Sequence, residues 1–233
     1  MAELTLHTPV SKLPGIGPAR EASLAKLGLH TVADLLAFFP RDYEDRTVRE
    51  NIWTLPLEEP VCFAAMVAEP FRTSFIRKGM DLTKGRVVDG TAQVDITFFN
   101  QEFLRNTFSV GGVFRFYGRV EATGKDRYTM TAPAFEPFVE SRPLPPLYAV
   151  YPLTEGISNK MISDHIRQSL TATSLVEDPL PEFVRAAEGL CTLGYALRQI
   201  HAPEDFSTLH RAKRRLAFDE FFRFALGLGT AGR

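Results

Sequence analysis

A chain of 233 residues, 45% of them hydrophobic, can bury the core of two modest domains or of one domain with a long appendage, which excludes general disorder. Its 27 basic and 28 acidic residues leave a formal charge of −1, so any affinity for nucleic acid must come from local patches rather than bulk charge. Cys62 and Cys191 lie far apart without CxxC or His-x-Cys spacing, which argues against a disulfide framework and a zinc site and fits a reducing, cytoplasmic setting.

The first zone, residues 1–52, opens on MAELTLHTPVSKL, which has no charged segment followed by an apolar run. No apolar stretch of about 18 residues occurs anywhere, so neither a targeting segment nor a membrane partner is expected. Leu24, Leu27 and Leu29, then Val32, Leu35, Leu36 and Phe39, recur at helical steps and stop at Pro40, with Thr31 as the expected N-cap. The second zone, 53–140, changes to strand period. Segments 61–69, 84–88, 92–99, 113–121 and 127–135 read as strands, with Asp89-Gly90 as a hairpin turn and QEFLRNTF as a short helix between the third and fourth. That order predicts an α+β chain built on a five-stranded Greek-key barrel of the oligonucleotide-binding (OB) type, flanked by N-terminal and C-terminal helical segments. The third zone, 141–233, opens on Pro143, Pro145 and Pro146, a stiff connector, and returns to helical patterns. Met161, Ile162, Ile166 and Leu170 form one apolar set; Leu209, Ala212, Leu216, Phe221, Phe224 and Leu228 form a broad stripe on the last helix.

Motifs for catalysis are missing. There is no GxxxxGK[ST], HExxH, GxSxG or EF-hand loop, and Gly227, Gly229 and Gly232 match GxGxxG only after a helix, where no strand presents them. The five histidines are scattered. No catalytic residue, cofactor or metal site is expected in this chain.

Aromatic placement is more informative. Alternation along 92–99 turns Val94, Ile96 and Phe98 toward the barrel interior and Asp95, Thr97 and Phe99 outward. If Asn100 begins a helical turn, Phe103 projects near Phe99, giving two rings for base stacking; the alternative is that the rings cover the barrel end or pack on a helix. Arg72, Arg77, Lys78, Lys84 and Arg86 stand against Asp81 alone in what reads as the loop joining the first two barrel strands. Arg115, Tyr117 and Arg119 share one face of the fourth strand and extend a basic, aromatic surface. The default for such clusters is a solvated face. The run Arg211, Lys213, Arg214, Arg215 reads as the outer face of a helix. Gly15-Ile16-Gly17 entering a helix offers backbone N–H groups to a phosphate, or simply makes a tight structural turn.

The segment LPGIGPAREASLAKLGLHTVADLLAFFPRDYEDRT (13–47) resembles the opening of RecG helicases, and FFN (98–100), YG (117–118), YPLTEGI (151–157), IHAPED (200–205) and RRLAFDEFF (214–222) extend the resemblance over most of the chain. The resemblance implies the N-terminal, wedge-containing region of an ATP-dependent branched-DNA helicase of recombination and repair. Its barrel, the wedge domain, sits at the branch of a replication fork or Holliday junction. The stacking aromatics so implied are Phe99 and Phe103; Phe98 belongs to the same motif but is turned inward by the alternation. ATP and magnesium would serve a motor expected after the helix at 214–228, where this sequence ends in GTAGR. Helicase activity is therefore not expected of this chain alone, whether it is a fragment or a short relative. Three functions follow: binding of branched DNA by a monomer, general single-strand binding, or a protein-interaction module docking a motor or a single-strand-binding protein.

Overall fold

The structure, a computed structural model, describes residues 4–57, 59–139 and 145–231, with side chains as far as 224. Two units result: Met1–Glu44 with Leu147–Arg233, and Asp45–Pro146. The three zones expected from the sequence divided at 52/53 and 140/141. Those are places where hydrophobic period changes, whereas a unit is defined by what packs together, and a local period cannot show that the two ends of a chain share one core. Of the proline connector, Pro143 lies outside the described residues.

In the first unit, α1 (Pro18–Ala25) begins at Gly17 with Pro18 at its first position, where a missing N–H costs nothing. α2 (Val32–Ala37) is capped as expected: the Thr31 hydroxyl accepts the Asp34 N–H at 3.2 Å, and the Asp34 carboxylate accepts the Thr31 N–H at 2.8 Å. The first strand, β1 (Asp42–Asp45), follows.

The second unit is the barrel. A short β2 (Val48–Arg49) lies parallel to β3 (Val61–Val67); then come β4 (Arg72–Arg77), β5 (Met80–Val88), β6 (Gln93–Phe99), the helix α3 (Leu104–Thr107), β7 (Val113–Gly118), β8 (Val120–Gly124), β9 (Arg127–Thr131) and β10 (Ala134–Pro137). β3, β5 and β6 pair antiparallel in succession, and β6 pairs parallel with β9. β9 pairs with β8, β10 with β7, and β7 with β3. Only Arg119 separates β7 from β8, so the two are halves of one bent strand and the ladder returns to its start: an OB-type barrel. Rings fill it. Phe108, at the end of α3, lies 4.3 Å from Phe71, 4.8 Å from Phe135, 4.9 Å from Phe114 and 5.8 Å from Phe98 between centroids. Gly85 admits this packing, because a Cβ there would stand 2.3 Å from the Phe71 ring.

One expectation changes here. Residues 72–83 are not a loop but a β4–β5 hairpin turning at Lys78-Gly79, and the strand expected at 84–88 begins at Met80. The charge of RTSFIRKGMDLT suggested a solvated loop; the Lys-Gly turn, with Gly79 at φ 78°, was the stronger cue.

The chain then re-enters the first unit through β11 (Leu147–Val150), which pairs with β1, followed by α4 (Asn159–Ser169), α5 (Glu182–Glu188), α6 (Leu193–His201) and α7 (Phe206–Ala231). Leu13, Ile16, Leu24 and Leu35 from the beginning share a core with Tyr151, Ile157, Ile162 and Ile166. The Tyr151 hydroxyl lies 3.0 Å from His201 Nδ1, and His201 Nε2 lies 2.9 Å from the Leu36 carbonyl, which fixes the tautomer with the proton on Nε2. Burial pushes His201 down to about 4.

α7 corrects two further readings. Arg215 is not on an outer face: it is fully buried, with Asp178 at 2.6 Å, Asp219 at 3.0 Å and the Cys191 carbonyl at 2.6 Å. Arg211 and Lys213 lie over the rings of Tyr195 and Tyr43. The apolar stripe is also interrupted, since Leu209 and Ala212 are buried while Phe221 and Phe224 are exposed; the Leu228 side chain and Gly232 lie outside what is described. Among the described residues no helix is long and apolar enough to cross a membrane.

Partial burial opposes ionisation of Asp178, but hydrogen bonds from Arg215 and from the Leu193 and Leu180 amides outweigh it and hold the carboxyl well below the usual carboxylate range. Asp178→Ala leaves the buried Arg215 with Asp219 as its one carboxylate and should cost about 3 kcal/mol of stability at pH 7 in urea denaturation. A folded-state pKa below the unfolded value of about 3.9 means that this stabilisation is present above roughly pH 4 and lost as pH falls below it. The gap between wild type and variant should therefore narrow in acid. His201 adds a separate loss between about pH 6.5 and 4, because the unfolded state takes up a proton there and the folded state does not.

Candidate nucleic-acid interface

The outer face of β6 is set by strand period. Phe98 is 1% exposed and belongs to the ring cluster, and Phe99 is 42% exposed on the opposite side. Phe99 stands opposite Leu82 of β5; Lys84 lies opposite Thr97 on β6 and opposite Arg72 on β4. This face thus places an aromatic ring beside a pair of cations.

The strand ends abruptly. Asn100 adopts φ 53°, a left-handed conformation that asparagine tolerates, and exchanges hydrogen bonds with Asp81: its N–H donates to the Asp81 carbonyl at 3.0 Å and its side-chain oxygen accepts the Asp81 N–H at 3.0 Å. Asn100 therefore does not begin a helical turn, and α3 starts only at Leu104, with Phe103 as its N-cap. The four-residue helical spacing expected to bring the rings side by side does not apply. Phe103 is nonetheless 65% exposed, so neither ring is taken up by the barrel core.

Of the basic residues, Arg72, Arg77, Lys78 and Lys84 are exposed. Arg86 is engaged by Asp95 at 2.7 Å and Glu69 at 2.8 Å. Arg115 overturns an expectation: it is buried, bonded to Glu136 at 2.8 Å and to the Pro145 carbonyl at 2.9 Å. Tyr117 is half-buried under the Arg46 guanidinium, 4.9 Å from its centroid. Alternation assigned these two to the outer side of β7 but could not show that Glu136 of the neighbouring β10 and the Pro145 carbonyl engage the Arg115 guanidinium there. Arg119, between β7 and β8, is exposed.

Sequence reasoning missed the tip of the β4–β5 hairpin, where Phe75 is 75% exposed and Ile76 is exposed beside Arg77 and Lys78. Their cue was an apolar pair inside a basic segment at a Lys-Gly turn. The single tryptophan, Trp53, is also exposed in this unit. In the other unit, Gly15 at φ 85° makes the expected hairpin, with the Ile16 side chain in the core and Gly17 capping α1. Among the described residues no cluster of three His, Cys, Asp or Glu side chains could hold a metal ion.

A family model described as the RecG wedge domain matches residues 10–173. ATP-dependent DNA helicase RecG of Bacillus subtilis is 33% identical over 225 residues, covering 94% of this chain and 32% of the relative. The protein of the same name from Synechocystis sp. is 31% identical over 242 residues, covering 97% of this chain and 29% of the relative. A solved structure of RecG bound to a three-way DNA junction aligns with a TM-score of 0.81 at 28% identity, over 94% of this chain and 30% of that one. The chain therefore spans about a third or less of these relatives.

The adjacent phenylalanines of β6 should separate in a stability assay. Phe98→Ala empties part of the ring cluster and should cost about 3–5 kcal/mol in chemical denaturation. Phe99→Ala and Phe103→Ala should each cost less than about 1 kcal/mol, because their rings fill no cavity.

Proposed function

The chain belongs to the RecG wedge-domain family, and from that membership we propose that it binds branched DNA, such as replication forks and Holliday junctions, with Phe99 and Phe103 stacking on bases where the strands part. The observation that carries this reading is the exposed Phe99 beside Lys84 and Arg72 on the outer face of an OB barrel. Aromatic stacking accepts any base, and cations that follow phosphates read no sequence, so such a face suits a branch defined by shape. Arg77 and Lys78 at the hairpin turn would meet phosphates of an adjoining arm, and the relative solved on a three-way junction supports this class of ligand. Duplex translocation, ATP and magnesium belong, in this proposal, to the motor of a longer RecG-type protein; the wedge supplies the surface against which duplex is split.

A second reading rests on Phe221 and Phe224, exposed on α7: this helix docks a protein partner such as the motor or a single-strand-binding protein. Fluorescence anisotropy at fixed salt with fork, Holliday junction, linear duplex and single strand separates the readings. Tightest binding to the branched forms is expected. Equal affinity for all four sinks the branch claim, tightest binding to single strand favours a general single-strand module, and no DNA affinity leaves the docking reading.

Phe99→Ala should weaken fork binding roughly five- to a hundredfold and duplex binding much less. Lys84→Ala should weaken every format alike and lower the slope of log affinity against log salt by about 0.7–0.9.

A further inference from the structure

The Gly15 hairpin and the start of α4 enclose an open pocket of about 380 Å³ in the first unit, and its side chains have no part in the DNA-binding proposal. His165 lines it. This histidine is 4% exposed, yet neither ring nitrogen has a hydrogen-bond partner, and the Gln168 side-chain oxygen beside it is likewise buried and unpartnered. Orphaned buried polar atoms are costly, so their place in a pocket wall points to a ligand that satisfies them. The His165 Cε1, the carbon between the two nitrogens, lies 3.7 Å from where a Gly15 Cβ would stand, so the polar edge of the ring faces the hairpin.

The surrounding groups define the chemistry. Arg20 donates one N–H to the Gly15 carbonyl, which holds its guanidinium at the pocket while other donors remain in the fork. Lys160 contributes a second cation. α4 begins here, capped by the Ser158 hydroxyl on the Met161 N–H at 3.3 Å, and the amides of Asn159 and Lys160 have no acceptor within their own helix. The opposing carboxylate, Asp164, is already matched by Lys160 at 2.7 Å and Arg167 at 3.5 Å. A metal cation would meet Arg20 and Lys160, and a sugar hydroxyl would leave the charge of Arg20 unused. A tetrahedral oxyanion accepts from several directions at once.

We propose that this pocket binds a phosphate group, held by Arg20, Lys160, His165 and the first turn of α4. The group is a phosphodiester of DNA, a terminal nucleic-acid phosphate, or the phosphate of a small molecule. Proton NMR of the full chain, following the His165 ring signal identified by its loss in His165→Phe, distinguishes these sources. Inorganic phosphate should move that signal saturably, with affinity about tenfold lower in Arg20→Gln and unchanged in Phe99→Ala. An oligonucleotide that moves it only when 5′-phosphorylated assigns a terminal phosphate. Equal movement by the unphosphorylated strand assigns the phosphodiester, and movement by inorganic phosphate alone assigns a small phosphorylated ligand. No saturable movement with inorganic phosphate, or a response indifferent to Arg20→Gln, overturns the proposal. Because Phe99→Ala is silent here, this result stands or falls separately from junction binding.

Discussion

The exposed face of the barrel depends on the side chain that is hidden directly before it. Phe98 is pinned among Phe71, Phe108 and Phe135, at 6.4, 5.8 and 5.7 Å between ring centroids, and a strand sends consecutive side chains to opposite faces. Phe99 therefore stands on the outer face, 42% exposed. A slip of one residue would put Phe99 into the cluster and Phe98 into solvent, but it would also expose Val94 and Ile96, which are fully buried. The core thus fixes the register, and the register presents the ring.

The same logic explains how a chain of near-zero net charge keeps a basic surface. Many arginines are already engaged: Arg115 and Arg46 by Glu136, Arg86 by Asp95 and Glu69, Arg215 by Asp178 and Asp219. The buried pairs among them, at Arg115 and Arg215, stabilise little in net terms, but they fix where segments meet, since stranding either charge is costly. Arg72, Arg77, Lys78 and Lys84 lie instead at the exposed β4–β5 hairpin. Location, rather than the total of 27 basic residues, makes this surface distinct.

These two effects divide what was legible in the sequence from what was not. Strand alternation gave Phe98 and Phe99 their opposite faces, and Thr31 ahead of an apolar run marked the start of α2, because both are local patterns with a direct geometric meaning. Arg115 was assigned the correct side of its strand and the wrong environment, since its cover comes from Glu136 on a later strand. Arg215 looked like one of four basic residues on a helix until Asp178, far away in sequence, proved to be its partner. The joining of residues near 13–36 with those near 149–172 in one core was equally invisible to a local reading. Sequence patterns report which way a side chain points; only the tertiary fold reports what stands in front of it.

The groups of the proposed interface suit a ligand defined by shape. Two rings and a few cations can bind bases by stacking and backbone by charge, and neither interaction depends on sequence. Selectivity for a branch would then arise from geometry: duplex hides its base faces in the stack, a single strand offers no paired arms to flank the hairpin, and a fork presents both together. A rigid barrel suits that task. Phe99 emerges at the end of a strand whose partners on both sides are hydrogen-bonded, and Asn100 is tied back to Asp81, so the backbone beneath the ring is already ordered before any base arrives. Binding at such a site need not repay the entropy of arranging it.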